Sequence, residues 1–103
     1  MSALTTVSPA LRAWLRKLRA EDAAVREQAL DAIALLGEVG ALPALAATFA
    51  RDPDPHVRQR ARQVARAIYL GALHREAQHL ADQEAARSAA EALRRAQKRR
   101  RKG

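Results

Sequence analysis

A chain of 103 residues with a net charge of +8 and no cysteine suits one small domain and excludes disulfides and thiolate metal sites. Its apolar residues are mostly alanine and leucine, which favours helices, and no apolar run reaches the about 18 residues that a membrane span needs. Residues 1–7 lack the charged and long apolar parts of a secretory signal peptide, and together with the absence of cysteine this leads us to expect a cytoplasmic protein.

The first predicted element is a helix that begins after Ser8 and runs to about Arg19. Ser8 has a hydroxyl that suits an N-cap, and Pro9 suits the first helical position because the N–H that it lacks would have no partner there. Residues 1–7 are expected to form a flexible lead-in. Apolar residues at helical spacing define the predicted buried face: Leu11, Trp14, Leu15 and Leu18.

A row of cations follows the same predicted helix, and it consists of Arg12, Arg16 and Arg19. Such a row is either a solvated face or part of a site for an acidic partner. We predict that it belongs to a partner-binding surface together with Thr48 and Arg51, which lie at the end of the third predicted helix.

The second predicted helix begins after Asp22, whose carboxylate can accept hydrogen bonds from the free N–H groups of the first turn. It ends at Gly37, which is well placed for the left-handed residue that closes a helix. Its predicted buried face is Val25, Ala29, Ala32, Ile33 and Leu36. A third helix has Pro43 in its first turn and runs to about Ala50, and its predicted buried face is Leu42, Leu45, Ala46 and Phe49.

A fourth helix is predicted to begin after Asp54, with Pro55 at its first position and Pro53 ending the helix before it. Its predicted buried face is Val57, Ala61, Val64, Ala65 and Ile68. The other side carries a second row of cations, Arg58, Arg62 and Arg66, with Arg60 nearby. Like charges at this spacing repel one another, so Arg62 and Arg66 are predicted to face a partner.

The helix-pair pattern occurs twice along the chain. A shift of 32 residues places Asp22, Val25 and Arg26 on Asp54, Val57 and Arg58. A shift of 31 residues places Leu11, Trp14 and Leu18 on Leu42, Leu45 and Phe49. The difference is one extra residue in the proline-containing turn. Repeats of this size are typical of solenoids, in which each unit buries its apolar face on the next.

The segments Asp22-x-x-Val25-Arg26-x-x-Ala29 and Asp54-x-x-Val57-Arg58-x-x-Ala61 resemble HEAT repeats, in the short form found in phycobilisome-lyase-type proteins. The resemblance covers residues 8–70. It implies an all-α fold, a short right-handed α-solenoid in which the second helix of each pair lines the concave face. It also implies that Arg26 and Arg58 pair with turn carboxylates such as Asp22 or Asp54 and so hold one repeat to the next.

Beyond the repeats, Gly71 is expected to kink or end the fourth helix, so that the repeat domain is predicted at 8–71 and a separate alanine-rich helix at 72–97. Seven cations are concentrated near the C-terminus: Arg94, Arg95, Lys98, Arg99, Arg100, Arg101 and Lys102. The rest of the chain is nearly neutral. The basic tail predicted at 98–103 is either a solubilising, disordered end or a surface that attracts nucleic acid or an acidic protein.

No catalytic, metal or cofactor site is predicted. His74 and His79 are five residues apart and so lie on different faces of a helix, whereas metal-binding pairs on helices usually occupy positions i and i+4. No glycine-rich phosphate loop is present, and no serine lies near a histidine or aspartate in a pattern that suggests a nucleophile.

The sequence therefore predicts a non-catalytic, HEAT-like module that binds a protein partner as a scaffold or adaptor and whose ends are open to another copy. The alternative is a nucleic-acid-associated protein whose tail supplies non-specific affinity for phosphates. A third hypothesis, an auxiliary of a larger enzyme such as a lyase-like chaperone for a chromophore, rests on the resemblance alone.

Overall fold

The computed structural model describes residues 7–102, and within them all regular structure is helical. The elements are α1 (Pro9–Lys17), α2 (Ala23–Leu36), a short 3-10 helix (Val39–Ala41), α3 (Leu42–Arg51) and α4 (Pro55–Lys102). The predicted all-α fold is confirmed. The predicted flexible lead-in at 1–7 lies outside the described residues except for Val7, which packs against the core.

The helices begin at the caps that the sequence predicts. The Ser8 hydroxyl oxygen accepts a hydrogen bond from the N–H three residues later at 3.1 Å. Asp22 and Asp54 each accept from the N–H two residues later, at 2.9 and 2.7 Å. Ser8 also donates through its hydroxyl to a carboxylate oxygen of Glu38 at 2.6 Å, which links the start of α1 to the segment after α2.

Helix α1 ends at Lys17, before the predicted end near Arg19. The N–H groups of Leu18, Arg19 and Ala20 donate to carbonyls three residues earlier, at 3.1–3.2 Å. These are 3-10 hydrogen bonds, which tighten the last turn of a helix and bring the chain round to α2.

Gly37 closes α2 in the left-handed region, with φ at 63°. An added Cβ would have no neighbour closer than 4.0 Å, so an alanine there would suffer from the backbone conformation and not from a collision. We expect Gly37→Ala to lower the free energy of unfolding by about 1 kcal/mol. Gly71→Ala, inside α4, is expected to raise it by about 0.5–1 kcal/mol. Urea denaturation followed by circular dichroism measures both, and effects of the same sign would contradict this account.

One apolar core joins α1, α2, α3 and the first part of α4. Its fully or nearly fully buried members are Leu11, Ala29, Leu30, Ile33, Ala41, Leu45, Val57, Ala61, Val64 and Ile68. Trp14, Leu15 and Leu18 are half-buried and pack against it. The predicted inner faces of α1 and α4 are therefore confirmed.

The buried face of α2 differs from the prediction. Leu30, which the prediction did not include, is fully buried. Val25 and Ala32 are only half-buried, and Leu36 is 38% exposed. The prediction assumed that both repeats bury the same face of the pattern.

The positions of α4 that are equivalent to these residues of α2 show the reverse pattern of burial. The α4 equivalents of Val25, Ala32 and Leu36 are buried, whereas Arg62, the equivalent of Leu30, is exposed. Helices α2 and α4 therefore bury different, partly overlapping faces of one repeat pattern, which share the position of Ala29 and Ala61. In a stack, the burial of a position depends on the elements that lie beside the helix as well as on the repeat pattern.

Helix α3 also departs from its predicted buried face. Leu45 is fully buried and Leu42 is half-buried, but Ala46 is exposed and Phe49 is 46% exposed. The core reaches this part of the chain through Ala41 and Leu45. Ala46 and Phe49 lie on a face that the described residues leave largely uncovered.

Helix α4 continues through Gly71, so the alternative that the helix ends there is wrong, and the tail predicted as a separate segment is helical as far as Lys102. One glycine costs a helix about 1 kcal/mol, which the surrounding alanines and leucines offset by their helix propensity. The chain forms two compact units, with the boundary between Ala72 and Leu73.

The second unit consists of the part of α4 that follows Leu73. Its side chains are almost all exposed. Two ion pairs lie along this part of the helix, Arg87 to Glu84 at 3.3 Å and Arg95 to Glu91 at 3.8 Å. Within residues 7–102, no helix combines the length and the apolar character that crossing a bilayer requires.

Candidate partner-binding groove

A buried ion pair joins the turn between α1 and α2 to the turn between α3 and α4. Arg26 Nε donates to Asp52 Oδ2 at 2.9 Å, and Nη2 donates to Asp52 Oδ1 at 3.1 Å. The remaining nitrogen, Nη1, donates to the carbonyls of Ala20 and Glu21, both at 2.8 Å. Arg26 is 7% exposed and Asp52 9% exposed. Hydrogen bonding to Asp52 raises the pKa of Arg26 above its usual value.

The carboxylate that meets Arg26 is therefore Asp52, and neither Asp22 nor Asp54 as the resemblance implied. Both of those carboxylates cap helices instead. Arg58 meets no carboxylate among the described residues, and its Nη1 donates to the carbonyls of Asp52 at 2.8 Å and Pro53 at 3.3 Å. The turn before α4 contains two acidic residues, Asp52 and Asp54, and only Asp54 is needed as a cap. The carboxylate that is not required as a cap was the sequence feature that could have identified the partner of Arg26.

The two arginines occupy equivalent positions in the two repeats. Each donates through Nη1 to the carbonyls five and six residues earlier. Only Arg26 also has a carboxylate on its Nε and Nη2. That carboxylate comes from the turn of the following repeat, so the pair sets the distance between the turn before α2 and the turn before α4.

An open groove lies between α1 and α3, beside this ion pair, with a volume of about 1180 Å³. That exceeds the about 300–1,000 Å³ of small-molecule pockets. The groove contains five of the seven residues predicted to bind a partner: Arg12, Arg16, Arg19, Thr48 and Arg51. The structure thus brings together residues that are up to 39 positions apart in the sequence.

The groove combines an apolar lining with cations around it. Leu15, Leu18, Ala44 and Ala47 line it, and although they lie within the surfaces of residues 9–19 and 42–51 that the sequence predicts to face a partner, none was among the individually predicted site residues. Leu15 and Leu18 fit the pattern of buried residues on α1, so the sequence indicated only their role in the core. A residue at the edge of a core can contact both the core and a groove, and only the packed structure shows which residues do so.

Of the arginines that line the groove, four are exposed and form no ion pair with a described residue: Arg12, Arg16, Arg19 and Arg51. Glu21 also lines the groove, whereas the charge of Asp52 is matched by Arg26. The groove therefore has a surplus of positive charge. Thr48 donates its hydroxyl proton to the Ala44 carbonyl at 2.9 Å, so its oxygen remains an acceptor.

The other two predicted partner-binding residues, Arg62 and Arg66, are not in this groove. They are exposed on α4. Arg60, between them and Arg58 in sequence, pairs with Asp31 at 2.9 Å. A shallow depression at that pair also contains Glu27 and His56.

The predicted basic tail lies in the last turns of α4. Arg94, Lys98, Arg99, Arg100 and Arg101 are exposed there, and Arg95 is paired with Glu91. Across the described part of the chain, no three His, Cys, Asp or Glu side chains are grouped so that they could hold a metal ion. Binding of nucleic acid by the tail stays a prediction.

Comparison with known proteins gives one match, a family model of HEAT repeats that covers residues 3–66. No curated protein and no solved structure matches the chain significantly.

Proposed function

The chain belongs to the HEAT repeat family, and from this we propose that it is a non-catalytic scaffold or adaptor that holds a protein partner in the groove between α1 and α3. HEAT repeats generally mediate protein–protein interaction, and the family is typically non-catalytic. We further propose that it acts in the cytoplasm.

The observation that carries this proposal is the set of exposed arginines around an apolar groove. Arg12 and Arg16 lie on one face of α1, Arg19 follows in the turn after it, and Arg51 lies at the end of α3. A guanidinium binds a carboxylate through two parallel hydrogen bonds, which makes arginine a common anchor at protein interfaces. The apolar lining would bury side chains of the partner between these anchors.

We predict that replacing Arg12, Arg16, Arg19 and Arg51 with serine reduces capture of the partner by at least about tenfold, since each interface arginine can contribute more than 1 kcal/mol. The full chain and the variant are immobilised, exposed to nuclease-treated lysate of the source cells, and compared by quantitative mass spectrometry. The partner is then purified, and its dissociation constant is measured with both proteins.

The matched control removes the same number of cations from the second unit, by changing Arg94, Arg99, Arg100 and Arg101 to serine. We expect this variant to retain the partner. The opposite result, with binding lost in the control and kept in the groove variant, would refute the groove. If the full chain binds a purified DNA or RNA and the variant without the four tail cations does not, the nucleic-acid alternative would replace the proposal.

A further inference from the structure

Helix α4 carries a row of three arginines at positions that are covered in the preceding repeat. Arg58, Arg62 and Arg66 are equivalent to Arg26, Leu30 and Ala34 under the shift of 32 residues. Arg26 and Leu30 are buried and Ala34 is half-buried, whereas Arg62 and Arg66 are exposed and Arg58 is half-buried. The row therefore lies on the face that a following element of a stack would cover.

Two hydrogen-bond donors of the Arg58 guanidinium, Nε and Nη2, have no acceptor among the described residues. The Nη1 of Arg58 donates to the carbonyls five and six residues earlier, as that of Arg26 does, which anchors the guanidinium at the turn before α4. Among the described residues, nothing accepts from its Nε or Nη2, the two atoms through which Arg26 binds Asp52. This edge is preorganised for a carboxylate.

The charge of the row restricts what could cover it. Arg62 and Arg66 form no ion pair with described residues, and they repel each other and Arg58 at a spacing of four residues. Carboxylates would satisfy all three. Ala65, half-buried beside the row, offers apolar contact as well, which suits side chains better than a phosphate backbone.

A second copy of this chain does not supply such a surface. The face that would continue the stack is the outer face of α2, with Val25, Ala32 and Leu36. It would place apolar side chains against Arg62 and Arg66 and desolvate those charges without partners. The turn residue of a second copy that is equivalent to Asp52 is Ala20, which has no carboxylate.

We infer that the outer face of α4 binds an acidic helical segment of a different protein, which places one carboxylate on the Nε and Nη2 of Arg58 and others on Arg62 and Arg66. The row extends over about 12 Å, or two turns, so glutamates or aspartates four residues apart on the partner helix would meet it. This surface is separate from the groove between α1 and α3, and the inference about it does not depend on the proposal for the groove.

The test uses the full chain and a synthetic peptide of about 18 residues with blocked ends, in which three glutamates recur at every fourth position beside leucines. NMR follows the arginine Nε–H signals during titration. We expect the signal of Arg58 to shift saturably and that of Arg26 to stay unchanged. Glutamine in place of the three glutamates should weaken binding at least about tenfold, because a charged hydrogen bond contributes about 1.5–3 kcal/mol.

A matched pair of variants locates the surface. Arg62→Ser with Arg66→Ser should weaken binding of the glutamate peptide at least about tenfold, whereas Arg94→Ser with Lys98→Ser, also four residues apart and exposed on α4, should change it less than about twofold. Arg58→Lys keeps the charge but loses the two-pronged contact, and it should also weaken binding.

Four results would each overturn the inference. The first is an Arg58 signal that does not shift at peptide concentrations up to millimolar, and the second is equal binding of the glutamate and glutamine peptides. The third is a DNA duplex that binds more tightly than the peptide and depends on Arg62 and Arg66. The fourth is a shift of the Arg58 signal when the protein is concentrated without peptide. The last would identify a second copy as the occupant.

Discussion

Replacing Asp52 with alanine is expected to lower the free energy of unfolding by about 3–5 kcal/mol, because it leaves the Arg26 cation buried without its carboxylate. Asp52 also accepts a hydrogen bond from the Asp54 N–H at 2.9 Å, so the start of α4 loses a contact as well. The whole stability of a domain of this size is about 5–15 kcal/mol. Urea denaturation monitored at 222 nm by circular dichroism measures the change, with the amide signal reporting helix loss.

The chain contains a matched control for this prediction. Asp31 pairs with Arg60 at 2.9 Å, the same distance as the shorter Arg26–Asp52 contact, but its side chain is 64% exposed. Asp31→Ala should cost no more than about 1 kcal/mol. Equal losses from the two aspartates would show that burial of the pair is not what holds the two turns together.

Leu45→Ala is the second change expected to have a large effect, a loss of about 2–5 kcal/mol. Leu45 is fully buried in the core that joins the helices, so its removal leaves a cavity as well as the lost transfer energy. Thermal and urea unfolding of the purified variant measure the loss. A variant without a cooperative transition would agree with the prediction.

Phe49 on the same helix is the control, and the comparison tests a point on which sequence and structure disagree. The repeat pattern predicts both residues buried, but Phe49 is 46% exposed. Phe49→Ala should cost only about 1 kcal/mol, in proportion to the area that it buries. A loss as large as that of Leu45→Ala would mean that α3 packs through the face predicted from the sequence.

Local features were predictable because their causes lie within a few residues. The caps at Ser8, Asp22 and Asp54 and the left-handed Gly37 follow from hydrogen bonds and backbone conformations that involve only close neighbours in sequence. The break at Gly71 was predicted wrongly by the same local reasoning. A glycine weakens a helix but does not end one whose flanking residues favour it strongly.

The candidate site was predictable in part. Helical spacing grouped Arg12, Arg16 and Arg19, because residues on one face of one helix are neighbours whatever the fold. It could not place Thr48 and Arg51 opposite them, or assign Leu15 and Leu18 to the lining, since these follow from how α1 and α3 lie side by side.

The sequence by itself determined that the chain is helical, where its first helices begin, and that one helix pair recurs with an Asp and a Val-Arg at fixed offsets. Tertiary structure alone decided which face of each repeat is covered and which carboxylate Arg26 meets. The physical reason is that a repeat pattern is the same in every copy, whereas burial depends on the neighbour. Leu30 and Arg62 occupy the same position in the repeat pattern. Leu30 is fully buried in the core, whereas Arg62 is exposed to solvent.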